Sequence, residues 1–128
     1  MEASNQPRAG FGLPLGALLG ATGVLLGAFG AHAMKDTYDA AALRTFEIGV
    51  RYQMYHALAL VLCGVLHALG YRTKAAAVLF VVGVTLFSGS LYGLALGDLI
   101  WLGPVTPIGG LAFMAGWLML AFAYRKRP

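Results

Sequence analysis

Long apolar runs separated by short polar segments dominate the pattern of this chain. The runs cover residues 11–33, 56–70, 75–97 and 105–124. A membrane-spanning helix needs about 20 mostly apolar residues, and the run at 56–70 falls clearly short of that length. Its helix must therefore begin in the polar residues upstream, so we place the second span at about 51–70. The pattern predicts four transmembrane helices.

The polar segment before the second span predicts further helix rather than a plain loop. Thr37 or Asp39 supplies a side chain that caps a helix start. We expect one helix from there, or two with a bend near Gly49, whose first turns lie outside the bilayer or along its interface. This interfacial extension carries a charged stripe at i, i+3 and i+7, which consists of Arg44, Glu47 and Arg51.

Composition agrees with a protein of the lipid bilayer. Of the 128 residues, 59% are hydrophobic and only 11% are charged, whereas a soluble domain carries about 25% charged residues. Four spans leave only short linkers, so we expect residues 1–128 to form a single integral-membrane domain. The predicted fold class is all-α, a four-transmembrane-helix bundle with a short interfacial helical extension before the second span.

The first apolar run also has one feature of a secretory signal peptide. Residues Ala31, His32 and Ala33 resemble the A-x-A pattern of a cleavage site. The run has about 20 residues, however, and the apolar region of a signal peptide has about 7 to 15. We therefore expect the first run to be retained as a transmembrane helix.

The distribution of Lys and Arg predicts the orientation of the chain in the membrane. On one side, acidic residues offset the basic residues of the first and third loops. The other side carries Arg8, Arg72, Lys74, Arg125, Lys126 and Arg127. By the positive-inside rule, both termini lie in the cytoplasm and the chain is a multi-pass protein of the inner, cytoplasmic membrane. Because the basic residues are scattered at membrane edges, we expect no nucleic-acid partner.

Glycine spacing along the first span predicts a helix-packing face. The glycines of this face are Gly16, Gly20, Gly23, Gly27 and Gly30. Their period of about 3.5 residues places them on one stripe of a helix. Lipid supplies no hydrophobic drive for helix association, so small residues that allow close approach form the usual contact surface. A shorter set on the third span consists of Gly83, Gly93 and Gly97.

Polar side chains of the second span fall on the face opposite the charged stripe. With Arg51 set at 0°, Gln53 and His56 lie between about 120° and 200° around the helix. Polar groups within a span almost always turn inward, so both are expected to face the bundle. The first span ends near the same side of the membrane. The predicted polar cluster consists of His32, Tyr52, Gln53, His56, Ser88, Ser90 and Thr106.

The polar cluster has two interpretations. Interhelical hydrogen bonds among its members would fix the helix register, each contributing about 1 kcal/mol or less. Alternatively, the cluster binds a small ligand, relays protons or coordinates a metal, because histidine titrates near neutral pH and ligates metals. We favour the structural interpretation, and we assign no catalytic residue and no metal ligand.

Cofactor and enzyme chemistry have little support in the sequence. His56 and His67 are about 16 Å apart along one helix and cannot ligate the same haem iron. A haem between His32 and His56 would be exposed at the interface. Cys63 and His67 supply two metal ligands, fewer than a tetrahedral site requires. No Asp, Glu, Lys or Arg occurs in the middle of a predicted span, where ion-coupled transporters place ionisable groups. We expect no cofactor and no enzymatic activity.

Four segments in order resemble a known family. They are GAFGAH at 27–32, YQMYHALAL at 52–60, LFSGSLYGLAL at 86–96 and GPVTPIGG at 103–110, the last followed by GW. The chain from Leu15 to Tyr124 resembles domain of unknown function 423, a family that includes small bacterial inner-membrane proteins and the eukaryotic transmembrane protein 256. The resemblance implies a four-helix integral-membrane protein. It implies no activity, because the family has none assigned.

Strong packing features and sparse chemistry favour a non-enzymatic membrane module. We expect it to scaffold or stabilise a larger membrane complex or a homo-oligomer, through the glycine faces and the charged stripe, with the lipid bilayer as its other partner. The alternative function is binding or transport of a small-molecule or lipid-like ligand by the polar cluster. That alternative predicts a polar cavity beside His32, Gln53 and His56.

Overall fold

A computed structural model describes residues 7–124, and this part of the chain is helical without a β-strand. Its α-helices are α1 (Gly12–His32), α2 (Ala40–Ala68), α3 (Lys74–Gly83), α4 (Gly89–Gly97) and α5 (Val105–Ala121). One π-helical turn at Val84–Ser88 joins α3 to α4, so that Lys74–Gly97 forms a continuous third span. In this described part, four helices are long and apolar enough to cross a membrane, which confirms the predicted fold class. Of the basic residues behind the predicted orientation, Arg125, Lys126 and Arg127 lie outside the described residues.

The predicted extension before the second span is the first part of α2. Asp39 precedes the helix in an extended conformation, and its carboxylate accepts a hydrogen bond from the backbone N–H of Ala42 at 2.8 Å. Asp39 is therefore the helix cap. The helix continues through Gly49 as a single element of 29 residues. Its length of about 43 Å exceeds the hydrocarbon thickness of a bilayer.

Helices α1 and α2 pack antiparallel at close range because the facing side of α1 is rich in glycine. The ring of Phe46 packs directly on Gly30 and would lie only 2.9 Å from a Cβ added to that glycine. At the other end, the backbone N–H of Gly10 donates to the carbonyl of Gly64 at 3.0 Å. Side chains at such positions would hold the helix backbones apart. Within residues 7–124, α2 is the only helix that α1 contacts extensively.

The third span packs against α5 through aromatic rings set on glycines. Phe113 of α5 occupies the space beside Gly83, and Phe80 of α3 occupies the space beside Gly116. Both rings are buried, and they join residues such as Leu60 of α2 in the main hydrophobic core. The core therefore lies between α2, the third span and α5.

In the sequence, Thr106 followed by Pro107 is typical of an N-cap residue followed by the first residue of a helix. The start of α5 differs from this pattern. The helix instead begins at Val105, directly after Pro104, and Thr106 is its second residue. The Thr106 hydroxyl is hydrogen-bonded to another span. A threonine two positions into the helix thus serves interhelical contact rather than capping.

The helices follow one another in the order α1, α2, third span and α5, which leaves α1 and α5 at the two sides of the bundle. In the most apolar part of each of these two spans 17% of the residues are buried, against 44% for α2 and for the third span. Large apolar side chains such as Leu25 and Phe122 are exposed there. Surfaces of this kind contact lipid or other membrane proteins.

Candidate functional site

Gln53 is the centre of a polar network that joins three helices. Its side-chain Nε2 donates to the backbone carbonyl of Leu19 and to Oγ1 of Thr22, both at 2.9 Å. Its Oε1 accepts a hydrogen bond from the Tyr92 hydroxyl at 2.7 Å. Gln53 is buried, and both of its N–H donors and its carbonyl oxygen are engaged. One amide on α2 therefore links α1 to α4.

His56 is held one turn further along α2 by side chains of α5. Its ring stacks on Phe113, with ring centroids 3.5 Å apart and planes inclined by 8°. The Trp117 indole donates to His56 Nε2 at 3.1 Å, and His56 Nδ1 lies 2.7 Å from the backbone carbonyl of Tyr52. An indole N–H only donates and a carbonyl only accepts, so these contacts assign the neutral tautomer with the proton on Nδ1. Both ring nitrogens are occupied by protein partners.

Two serines of the third span make hydrogen bonds beside the π-helical turn. Ser88 Oγ donates to the backbone carbonyl of Gly49 in α2 at 2.7 Å. Ser90 Oγ donates to the backbone carbonyl of Phe87 at 2.9 Å and is also bonded to the Thr106 hydroxyl of α5. Since the single proton of Ser90 goes to Phe87, Thr106 supplies the proton of the bond between the two hydroxyls. These serines connect the third span to the helices on both sides.

Two predicted members of the cluster contribute no side-chain hydrogen bond to it within residues 7–124, although the Tyr52 ring is stacked against His56 with centroids 6.2 Å apart. His32 ends α1 and is exposed. Because Gly30 faces Phe46, His32 lies about 13 Å along the helix axis from the level of Gln53. The structure therefore does not bring the His32 side chain to the polar residues of the second span. The side chain of Tyr52 remains 37% exposed, and this residue contributes its backbone carbonyl to the network.

The remaining network satisfies its members internally. Among residues 7–124, no buried side-chain nitrogen or oxygen lacks a hydrogen-bond partner. In the same part of the chain, no three His, Cys, Asp or Glu side chains converge as a metal site would require. The Ser88 hydroxyl donates to a backbone carbonyl rather than to a general base, so it has the geometry of a structural contact and not of an activated nucleophile.

The glycines of the predicted packing faces have different surroundings. Of the five α1 glycines in the predicted face, those that face α2 are Gly16, Gly23, Gly27 and Gly30. Gly20 departs from this group, because no atom beyond its chain neighbours and the nearby backbone of its own helix lies within 4 Å of where its Cβ would be. On the third span, Gly83 faces α5, whereas Gly93 and Gly97 face the segment that follows α4.

The cluster predicted from the sequence left out several residues that complete these contacts. Thr22, Tyr92 and Trp117 are the partners of Gln53 and His56. One signal for Tyr92 is its position four residues after Ser88, on the same face of an apolar helix. Trp117 carries no such signal, because a tryptophan near a helix end is equally typical of the membrane interface.

Comparison with known proteins gives a consistent set of relatives. The sequence profile of the family described as "Protein of unknown function (DUF423)" matches residues 26–110. The UPF0382 membrane protein SH2409 of Staphylococcus haemolyticus is 47% identical over 113 residues, which cover 88% of this chain and 93% of that protein. No solved structure matches this chain.

Two further relatives come from other bacteria. The UPF0382 membrane protein YwdK of Bacillus subtilis is 42% identical over 116 residues, which cover 88% of this chain and 94% of that protein. The UPF0382 inner membrane protein YgdD of Escherichia coli K12 is 42% identical over 122 residues, which cover 91% of this chain and 92% of that protein. These names state a membrane location and no activity.

Proposed function

The chain belongs to the DUF423 family of membrane proteins, and from this premise we propose that it is a non-enzymatic structural or assembly module of the membrane. Its relatives are named only as membrane or inner membrane proteins, and the family description gives no activity. The proposal treats residues 1–128 as a single integral-membrane domain that assembles with a second copy or with a larger membrane complex.

The observation that carries this proposal is the use of the inward-facing polar side chains. The Gln53 amide is hydrogen-bonded to α1 and α4, and both ring nitrogens of His56 are hydrogen-bonded to protein atoms. Substrate binding or proton transfer at either residue would first have to break these bonds. A polar network that is complete without a ligand supports a role in fixing the helix arrangement.

Gly20 supports a specific surface for assembly. The other glycines of its stripe are covered by α2, whereas Gly20 has open space beside it. Exposed neighbours on the same part of α1 are Ala17, Ala21 and Val24. Small residues of this kind let a second helix approach the backbone closely. We therefore place the assembly contact on α1 around Gly20.

The test is a matched pair of substitutions analysed in native membranes. Gly20→Leu puts a large side chain on the proposed contact, and Gly89→Leu puts the same side chain on the third span, where a Cβ also meets nothing within 4 Å. At both positions the added Cβ lies in open space. Cross-linking followed by blue-native electrophoresis should show a reproducible higher-mass species for the unaltered protein and for Gly89→Leu, and its loss in Gly20→Leu.

Two results would count against this function. A protein that runs as a monomer without partners under all mild extraction conditions would remove the basis for an assembly role. A higher-mass species that persists in Gly20→Leu would show that this part of α1 is not the contact.

Ligand binding by the polar cluster, the alternative function, has no comparable support. The cavity it requires would be lined by Gln53 and His56, and neither residue lines the cavities of about 410, 200 and 610 Å³ described within residues 7–124. His32, the third side chain of that hypothesis, is exposed at the end of α1.

Our proposal also includes the orientation in the membrane. The described basic residues Arg8, Arg72 and Lys74 lie at one end of the bundle, and the connection from α1 to α2 lies at the other. The positive-inside rule places the first end, with both termini, in the cytoplasm.

A further inference from the structure

A cavity of about 410 Å³ opens between α1 and α2 near the connection that joins them. Residues such as Phe46 and Val50 give it an apolar floor, and Lys35, Glu47 and Arg51 provide its charged lining. Its volume is within the range of about 300–1,000 Å³ that is typical of small-ligand sites. The cavity thus combines apolar surface with two cations and one carboxylate.

The level of Arg51 along the bundle is unusual for a charged residue. Val50 lies 3.5 Å from where a Cβ on Gly27 would stand. Because α1 and α2 are antiparallel, Arg51 lies at the height of a point on α1 that is about 6 Å from the middle of that helix. On the opposite side of α2, Gly49 is bonded to Ser88, within about 4 Å of the middle of the third span. The sequence pattern had placed Arg51 at the outer end of the second span. Helix packing places it well inside the levels that α1 spans.

A guanidinium at this level needs a polar partner. An arginine left in the hydrocarbon is strongly unfavourable, and its flexible stem moves the charge toward the headgroups. Arg51 is exposed at the cavity rather than packed inside the bundle. From this level the flexible stem of Arg51 carries the guanidinium along the cavity toward the headgroups, where the phosphate of a phospholipid is an abundant anionic partner.

We propose that this cavity binds an anionic glycerophospholipid from the leaflet that contains the connection between α1 and α2. Lys35 and Arg51 hold the phosphate, since a guanidinium matches phosphate oxygens with paired hydrogen bonds. Two cations and one carboxylate give the lining a net charge of +1, which favours a headgroup of net charge −1. Glu47 accepts a hydrogen bond from a headgroup hydroxyl, and an acyl chain follows the apolar floor.

Binding is tested on the full chain in a neutral detergent by native mass spectrometry. Titrations compare phosphatidylglycerol, phosphatidylcholine with the same acyl chains, and soluble glycerol 3-phosphate. Arg51→Gln and Lys35→Gln remove one cation each from the cavity. Arg44→Gln is the matched control, because Arg44 is exposed on the same helix but does not line the cavity.

The proposal expects phosphatidylglycerol to bind most tightly. Each cavity variant should weaken that binding at least about tenfold, as expected for loss of one charge-assisted hydrogen bond. Arg44→Gln should leave it within about twofold. Helix content from circular dichroism checks that Arg51→Gln and Arg44→Gln leave the fold intact. Lys35→Gln, which lies outside the helices, provides an independent measurement.

Several results would overturn the phospholipid site. Equal weakening by Arg44→Gln would show general surface attraction rather than a site. Phosphatidylcholine that binds as tightly as phosphatidylglycerol would remove the role of the net charge. Glycerol 3-phosphate that binds as tightly as the lipid would show that the apolar floor contributes nothing. Unchanged binding in both cavity variants would exclude Lys35 and Arg51 as phosphate ligands.

Discussion

Replacing Gln53 with leucine removes the only side chain whose described hydrogen bonds link α1, α2 and α4. The substitution keeps a buried side chain of similar size while deleting both amide donors and the carbonyl acceptor. The hydrogen bonds to Leu19, Thr22 and Tyr92 are lost together. Any loss of stability therefore reports the network rather than a cavity.

The expected loss follows from these three hydrogen bonds. Interhelical hydrogen bonds in membrane proteins contribute about 0.6 kcal/mol each on average and about 1.7 kcal/mol at most. Gln53→Leu should therefore lower the free energy of unfolding by about 2 kcal/mol, with a ceiling of about 5 kcal/mol. The ceiling applies if the Tyr92 hydroxyl, deprived of its acceptor, finds no other partner.

The assay is reversible unfolding of the purified protein in mixed micelles, with the denaturing detergent fraction as the variable. Tryptophan emission follows tertiary structure, because Trp117 of α5 contacts His56 of α2. Thr85→Val is the matched control. Its hydroxyl is exposed and bonds only to Val81 of its own helix, so this loss of polarity should cost less than about 0.5 kcal/mol.

A double-mutant cycle isolates the central contact of the network. Tyr92→Phe deletes the hydroxyl that donates to Gln53, and the two substitutions together should cost less than the sum of their separate effects by about 0.6 kcal/mol or more. Additive effects would show that the hydrogen bond contributes no stability. A Gln53→Leu protein as stable as the Thr85→Val control would refute the structural role of the whole network.

Two further predictions concern packing and orientation. Gly64→Ala should destabilise the protein by at least about 1 kcal/mol in the same assay, because overpacking strains a well-packed structure. A Cβ at Gly64 would collide with the backbone nitrogen of Leu13. The control Gly89→Ala should not destabilise the protein, because its Cβ meets nothing within 4 Å. Fusion of reporters after Pro128 should give fluorescent green fluorescent protein and inactive alkaline phosphatase, and the reverse result would contradict cytoplasmic termini.

The membrane fold followed directly from the sequence. Four apolar segments of sufficient length can only be helices in a bilayer, because every backbone polar group must be satisfied within the segment. Local chemistry also identified Asp39 as a candidate helix cap, one of two, and the structure shows it in that role. Helical periodicity turned Gln53 and His56 toward the bundle, and both are buried.

The tertiary structure decided which residues those inward-facing side chains meet. Periodicity assigns a residue to a face of its own helix but carries no information about which helix faces it. The positions of the span ends in the sequence grouped His32 with Gln53, although the pairing of α1 with α2 separates them along the axis. Periodicity did not anticipate Trp117 as the partner of His56.

Depth and accessibility likewise needed the packed helices. Gly20 and Gly16 belong to one stripe in the sequence, yet only Gly16 is covered by α2. Arg51 marks the predicted start of the second span in the sequence, yet the helix register places it level with the interior of α1. The physical reason is that lipid and neighbouring helices are equally apolar. Composition alone cannot distinguish a helix surface that faces lipid from a helix surface that faces a neighbouring helix. The sequence therefore determined the spans, and the tertiary structure determined their contacts.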